Sequence, residues 1–181
     1  MSINNLSVRL EEPGSEDRIA AVVSSAFQDE KVALLLDALR RSSAWRGLSF
    51  VGLVGDEIVA HLAFTRGWLD MPTKLVEVLI LSPMSVTPEW QRRGIGSALI
   101  LESIQLLADR PEPAVFLEGN PRFYSRLGFL PGREAGFTAP SVRIPDAAFQ
   151  FIPLPAFDPS LTGALVYPDV FWEMDSVGLR A

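Results

Sequence analysis

The 181-residue sequence predicts an α/β (α+β) domain, a mixed central sheet flanked by helices, and three observations carry that prediction. Ile19, Val22, Val23, Ala26 and Phe27 recur at helical spacing, and so do Val32, Leu35, Leu36 and Leu39. Residues 48–54 and 58–68 are β-rich runs around Gly55-Asp56, a pair that supplies the turn of an antiparallel hairpin. An apolar strand at Leu75–Val86, an amphipathic helix carrying Leu99, Ile100, Ile104 and Leu107, and a short buried strand at 114–117 then follow in succession. Strand, helix, strand implies a parallel pair joined by a right-handed crossover.

The remaining elements follow from local chemistry. Leu6–Leu10 alternates apolar and polar residues as a strand does, and Glu11-Glu12-Pro13-Gly14-Ser15 ends it, with Ser15 expected to cap the first helix. The second helix is expected over 29–41. Pro83 interrupts the 75–86 strand, removing a ladder donor and bending or unpairing the chain there. Asp109-Arg110-Pro111-Glu112-Pro113 reads as a rigid loop. Pro121 opens a short helix through Leu127, and Gly128 ends it. Residues 129–181 are rich in proline and aromatics, with strands expected at 147–154 and 163–167. There Phe149, Phe151, Phe157, Phe171 and Trp172 cover the core or a dimer partner, or form a lid over a site. One domain is expected over 1–181, a core at about 6–131 and a strand-rich extension at 132–181.

Composition narrows the function classes. Hydrophobic residues make up 48% and charged residues 21%, enough apolar surface to bury a core and to leave room for a homodimer interface. A net charge of −6 argues against a nucleic-acid partner, which needs a broad basic face, and slightly favours a cationic, amine-bearing substrate. With no cysteine there is no disulfide, no thiol-ligated metal and no thiol nucleophile, and no metal site is expected. The start, Met-Ser-Ile-Asn-Asn-Leu, lacks the basic and apolar regions of a signal peptide, and no apolar run reaches membrane-spanning length. A cytoplasmic protein with no membrane partner is expected.

The chemistry concentrates in Gln91-Arg92-Arg93-Gly94-Ile95-Gly96-Ser97, between the 75–86 strand and the helix. Gly94 and Gly96 let a ligand approach the backbone, and the N–H groups of the first helical turn, with the helix dipole, favour a phosphate there. Arg92 and Arg93 add full charges. A P-loop requires Gly-x-x-x-x-Gly-Lys-Ser/Thr and finds no match; the dinucleotide fingerprint requires a third small residue where Leu99 stands, and no acidic ribose partner follows. What fits is Gln-x-x-Gly-x-Gly after a strand ending in Val86, which resembles the acetyl-CoA motif of the GNAT N-acetyltransferase superfamily. Downstream, Gly119-Asn120-Pro121-Arg122-Phe123-Tyr124-Ser125-Arg126-Leu127-Gly128-Phe129 is similar to the segment that closes that fold, in the form found in its YhbS-like branch.

The resemblance implies a mostly antiparallel central sheet with a splayed parallel strand pair. It implies that acetyl-CoA is the cosubstrate, held by the backbone of Met84, Ser85 and Val86 and by Gln91, Arg92, Arg93, Gly94, Ile95, Gly96 and Ser97. Asn120 either bonds the cofactor arm or caps the short helix. Tyr124 matches the family's general acid, which gives a proton to the leaving thiolate, and it also borders the cofactor. Backbone N–H near Val86 would hold the carbonyl oxygen. The implied reaction is N-acetyl transfer to a primary amine of a small molecule or peptide, by direct attack in a ternary complex. Its base is assigned to Glu77 on the central strand, ahead of Glu118; His61 is read as a core or edge residue. No Gly-x-Ser-x-Gly elbow offers a serine nucleophile. A non-catalytic acyl-CoA-binding sensor or interaction module is the alternative. Acceptor choice would depend on 28–47, 66–74 and the tail.

Overall fold

Gly55 takes a positive φ of 61° at the predicted hairpin turn and joins β2 (Trp45–Val54) to β3 (Glu57–Asp70). The computed structural model describes residues 5–178; the ends of the predicted 1–181 domain lie outside the described residues. These residues divide into two units, 5–64 with 82–106 and 65–81 with 107–178.

The first unit contains β1 (Leu6–Leu10), α1 (Glu16–Phe27), α2 (Glu30–Arg41), β2, the first half of β3, the end of β4 (Leu75–Val86) and α3 (Ile95–Gln105). β1 is antiparallel to β2, with Leu6 opposite Val54 and Leu10 opposite Phe50. The periodic residues Ile19, Val22, Val23 and Leu36 pack against Val51, Leu53, Ile58 and Ala63, so the apolar stripes read from sequence are the buried faces. Asp29 caps α2 by accepting the Lys31 N–H. Ser15 stands at the start of α1 but makes no capping bond, because its backbone is already helical at φ −89° and ψ −4° where a capping residue takes extended backbone. α3 ends at Gln105, short of Leu107.

The second unit contains the end of β3, the start of β4, β5 (Ala114–Glu118), α4 (Pro121–Tyr124), β6 (Leu130–Pro131), β7 (Phe137–Thr138), β8 (Phe149–Pro153), β9 (Gly163–Val166) and α5 (Asp169–Glu173). β4 and β5 are the predicted parallel pair, in register at Leu79 with Val115 and Ile80 with Phe116, while β4 runs on to Val86. Antiparallel pairing dominates elsewhere: β8 lies along β5, β6 along β8, and β9 along the end of β3. A two-residue parallel contact of β7 with β9 was not anticipated.

The tail belongs to this unit's core. Phe116 stacks on Phe149 and Phe151 at 5.9 and 5.7 Å and meets Phe137 edge-on at 5.0 Å, and Phe157 packs on Phe151 at 5.7 Å. Phe171 is buried, Phe157 is half-buried and Trp172 is exposed. After α4 the chain tightens into a 3₁₀ turn over Ser125–Leu127 and stops at Gly128, φ 92°.

Candidate functional site

At the end of β4 the Thr87 N–H bonds the Val59 carbonyl at 2.9 Å, and a 3₁₀ turn at Pro88–Trp90 redirects the chain. The Gln91 side chain then donates through Nε2 to the Val86 carbonyl at 3.0 Å, tying the turn back to the strand it has just left. Arg92 and Gly94 both adopt left-handed backbone, φ 58° and 84°. The first helical bond of α3 runs from the Ala98 N–H to the Gly94 carbonyl at 3.0 Å, so the amides of Ile95, Gly96 and Ser97 precede the intrahelical ladder. Buried Ile95 anchors this end while residues 91–94 are exposed. The Arg93 guanidinium lies 4.9 Å over the Trp90 ring, which fixes one cation beside the turn. The turn thus combines unpaired-register amides, a helix N-terminus and two arginines, the donor set of a phosphate site. On β4 itself, Met84 is half-buried, Ser85 and Val86 are buried, and the Ser82–Pro83 peptide is cis. The Ser85 hydroxyl faces the His61 carbonyl at 3.4 Å.

His61 is enclosed in a polar network of the same unit. Its Nε2 is 2.8 Å from Ser49 Oγ, which donates to Glu11 at 2.6 Å; Glu11 also accepts from Arg40 at 2.7 Å. Burial, with the Arg40 charge, pushes the imidazole down to about 3, so it is neutral near pH 7. Its Nδ1 has no hydrogen-bond partner among the described residues.

The second unit carries the other predicted residues. Asn120 accepts the Arg122 N–H through Oδ1 at 3.0 Å and caps α4, the second of its two expected roles. Tyr124 is half-buried between Phe123 and Phe129, 4.9 and 5.4 Å away edge-on, and burial pushes its phenol up to about 12. It is protonated throughout the physiological range. A Cβ on Gly119 would overlap the Tyr124 ring, so glycine is required for the ring to lie against the chain there. Glu77 is half-buried near the start of β4, nine residues before Val86, and shares its surroundings with Arg110. Arg110 is itself bonded to buried Glu112, Nε to Oε2 at 2.9 Å. Glu118, at the end of β5, instead meets Arg143, Tyr167 and Gly178, three residues the sequence reading did not single out. Among the described residues, no group of three His, Asp or Glu could hold a metal ion.

A family model described as "Acetyltransferase (GNAT) domain" matches residues 7–132, which takes in the turn, the parallel pair and the α4 segment. The chain belongs to the GNAT acetyltransferases. These are acyltransferases that use acetyl-CoA as cosubstrate, and the matched residues include the turn at 91–97. The GNAT chain is 31% identical over 146 residues to the uncharacterized N-acetyltransferase YjhQ of Escherichia coli K12, covering 77% of this chain and 78% of that one. A GNAT acetyltransferase from Brucella melitensis, solved with acetyl-CoA, shares 25% identity and superposes with a TM-score of 0.72 over 92% of this chain and 98% of its own. YhbS from Escherichia coli, solved with CoA, superposes with a TM-score of 0.82 at 23% identity, over 92% of both chains. That likeness establishes the mixed, mostly antiparallel fold. No helix among the described residues is long and apolar enough to cross a membrane.

Proposed function

We propose that this GNAT acetyltransferase moves the acetyl group of acetyl-CoA to a primary amine of a small molecule or peptide, by direct attack within a ternary complex. The observation that carries the reading is the turn from Gln91 to Ser97, whose early amides and two arginines suit a pyrophosphate. In this reading the β4 backbone at Met84, Ser85 and Val86 takes the pantetheine arm, and amide N–H near Val86 steadies the carbonyl oxygen as charge develops. Tyr124 gives its proton to the departing thiolate; its phenol, raised by burial, is present in the donating form. With no cysteine in the chain, there is no acetyl-thiol enzyme to route the reaction through. Glu77 on β4, with Arg110 in its surroundings, is the base in this reading, ahead of Glu118. Cytoplasmic location and a homodimer belong to the same reading, to be checked by fractionation and by sedimentation.

Thiol release from acetyl-CoA upon addition of a primary amine tests the proposal. Amine-dependent release supports transfer; tight acetyl-CoA binding without release by any amine would favour the non-catalytic acyl-CoA module instead.

A further inference from the structure

The tail in the second unit encloses a cavity of about 320 Å³ that acetyl transfer leaves without a role. Its floor is apolar: Phe137, Ile144 and Phe149 line it, and none is more than 3% exposed. Phe137 and Phe149 pack on Phe116 at 5.0 and 5.9 Å, so the core of the unit fixes that floor in place. The walls are short turns closed by local bonds. The Gly132 amide donates to the Phe149 carbonyl at 2.9 Å and the Phe137 amide to the Gly132 carbonyl at 3.0 Å, which sets Arg133 at the cavity's edge. The Ala148 amide donates to the Pro145 carbonyl at 2.8 Å and closes the turn that carries Asp146. Both charged side chains line the cavity and meet there, Arg133 Nη1 donating to Asp146 Oδ2 at 2.6 Å with the two side chains 72% and 65% exposed. That bond engages one N–H of a guanidinium that carries five, and one of the two carboxylate oxygens.

We propose that this cavity binds a free α-amino acid with an apolar side chain, the side chain resting on Phe137, Ile144 and Phe149, the carboxylate on Arg133 and the ammonium on Asp146. The volume lies at the lower end of small-molecule sites, which suits a ligand of one residue and not a peptide or a nucleotide. Charge then decides among apolar ligands of that size. An exposed ion pair contributes little to stability, so a ligand can part Arg133 from Asp146 at small cost. A ligand with a carboxylate alone would take Arg133 and leave Asp146 without its partner, and one with an amine alone would do the reverse. A zwitterion gives each side chain an opposite charge, and the remaining guanidinium N–H groups can grip its carboxylate through two parallel bonds. Binding here involves no step of acetyl transfer and stands apart from that reading.

Calorimetric titration of the full chain with L-leucine and L-phenylalanine tests the proposal, beside phenethylamine, hydrocinnamate and glycine, which lack the carboxylate, the ammonium and the apolar side chain in turn. Both amino acids should bind saturably, and each comparator should bind at least about 10-fold more weakly, the loss that follows from a missing charge-assisted bond or apolar group. Arg133→Gln and Asp146→Asn, at exposed positions, should each weaken the amino acids about 10-fold while the unfolding temperature stays at the wild-type value. Ala139→Phe, on the half-buried wall, fills the cavity and should abolish binding. Wild-type affinity in both charge variants, or in a folded Ala139→Phe, overturns the placement, because the ligand then sits elsewhere, the acceptor site of acetyl transfer included. Affinity for phenethylamine or hydrocinnamate equal to that for L-phenylalanine overturns the zwitterion. No binding of either amino acid up to about 10 mM, where even millimolar sites fill, overturns the site itself.

Discussion

The turn at 91–97 and the stretch at 118–124 are built in opposite ways. In the turn, the defining contact spans five residues, Gln91 to Val86, and two left-handed residues set the backbone. At Glu118 the defining contact spans sixty, and burial raises both its carboxyl and the Tyr124 phenol above their ordinary values. Holding a phosphate needs donors in a fixed local shape, which a short motif can encode. Moving a proton needs a tuned pKa, which depends on what the rest of the chain brings close.

Tyr124→Phe should give the largest effect that separates the two. Thiol release should fall by about 10²-fold or more while acetyl-CoA affinity is unchanged, since the ring keeps its packing on Phe123 and Phe129 and only the donor is removed. Full turnover in the variant would take Tyr124 out of the mechanism.

The His61 network offers a sharper contrast, because it is as buried as any proton-handling group and yet silent at pH 7. Folded His61 stays neutral down to about pH 3, whereas the unfolded imidazole protonates below about 6.5. The unfolded state then binds more protons, so stability is present above pH 6.5 and is lost as pH falls toward 3. Chemical denaturation at stepped pH should show that slope, and His61→Gln should flatten it. An unchanged slope would mean that the carboxylates dominate acid unfolding.

Gln91→Ala should have the smallest effect. It removes a hydrogen bond of about 1 kcal/mol that braces the turn, and acetyl-CoA affinity should fall by only a few-fold, measured by calorimetry. A loss as large as one from a glycine substitution in the turn would mean that Gln91 touches the ligand directly.

Legibility in the sequence follows the same division. The hairpin around Gly55, the stripes of α1 and α2, the parallel crossover and the turn could all be read because periodicity and glycine chemistry act over a few residues. Ser15 misled, since residue type shows that a cap is permitted but the backbone at φ −89° decides whether it forms. Asn120 was readable as a cap because the bond is to its own second neighbour. The tail was visible as apolar but not as the partner of Phe116, and neither Gly178 nor Arg143 carries any local sign of where it will lie. Glu77 was favoured over Glu118 by strand position alone; the charges near them, Arg110 for one and Arg143 for the other, are set by contacts remote in sequence.

The most direct test of the account is calorimetric titration of acetyl-CoA into the wild-type chain and into Gly96→Asp, which places a carboxylate where the first amides of α3 precede the helical ladder. The account predicts saturable binding by wild type and a loss of at least about 10²-fold in the variant, from repulsion of the pyrophosphate and a blocked approach to the backbone. Equal affinity in the two proteins would contradict it, because the turn would then not be the place where the cofactor's phosphates sit.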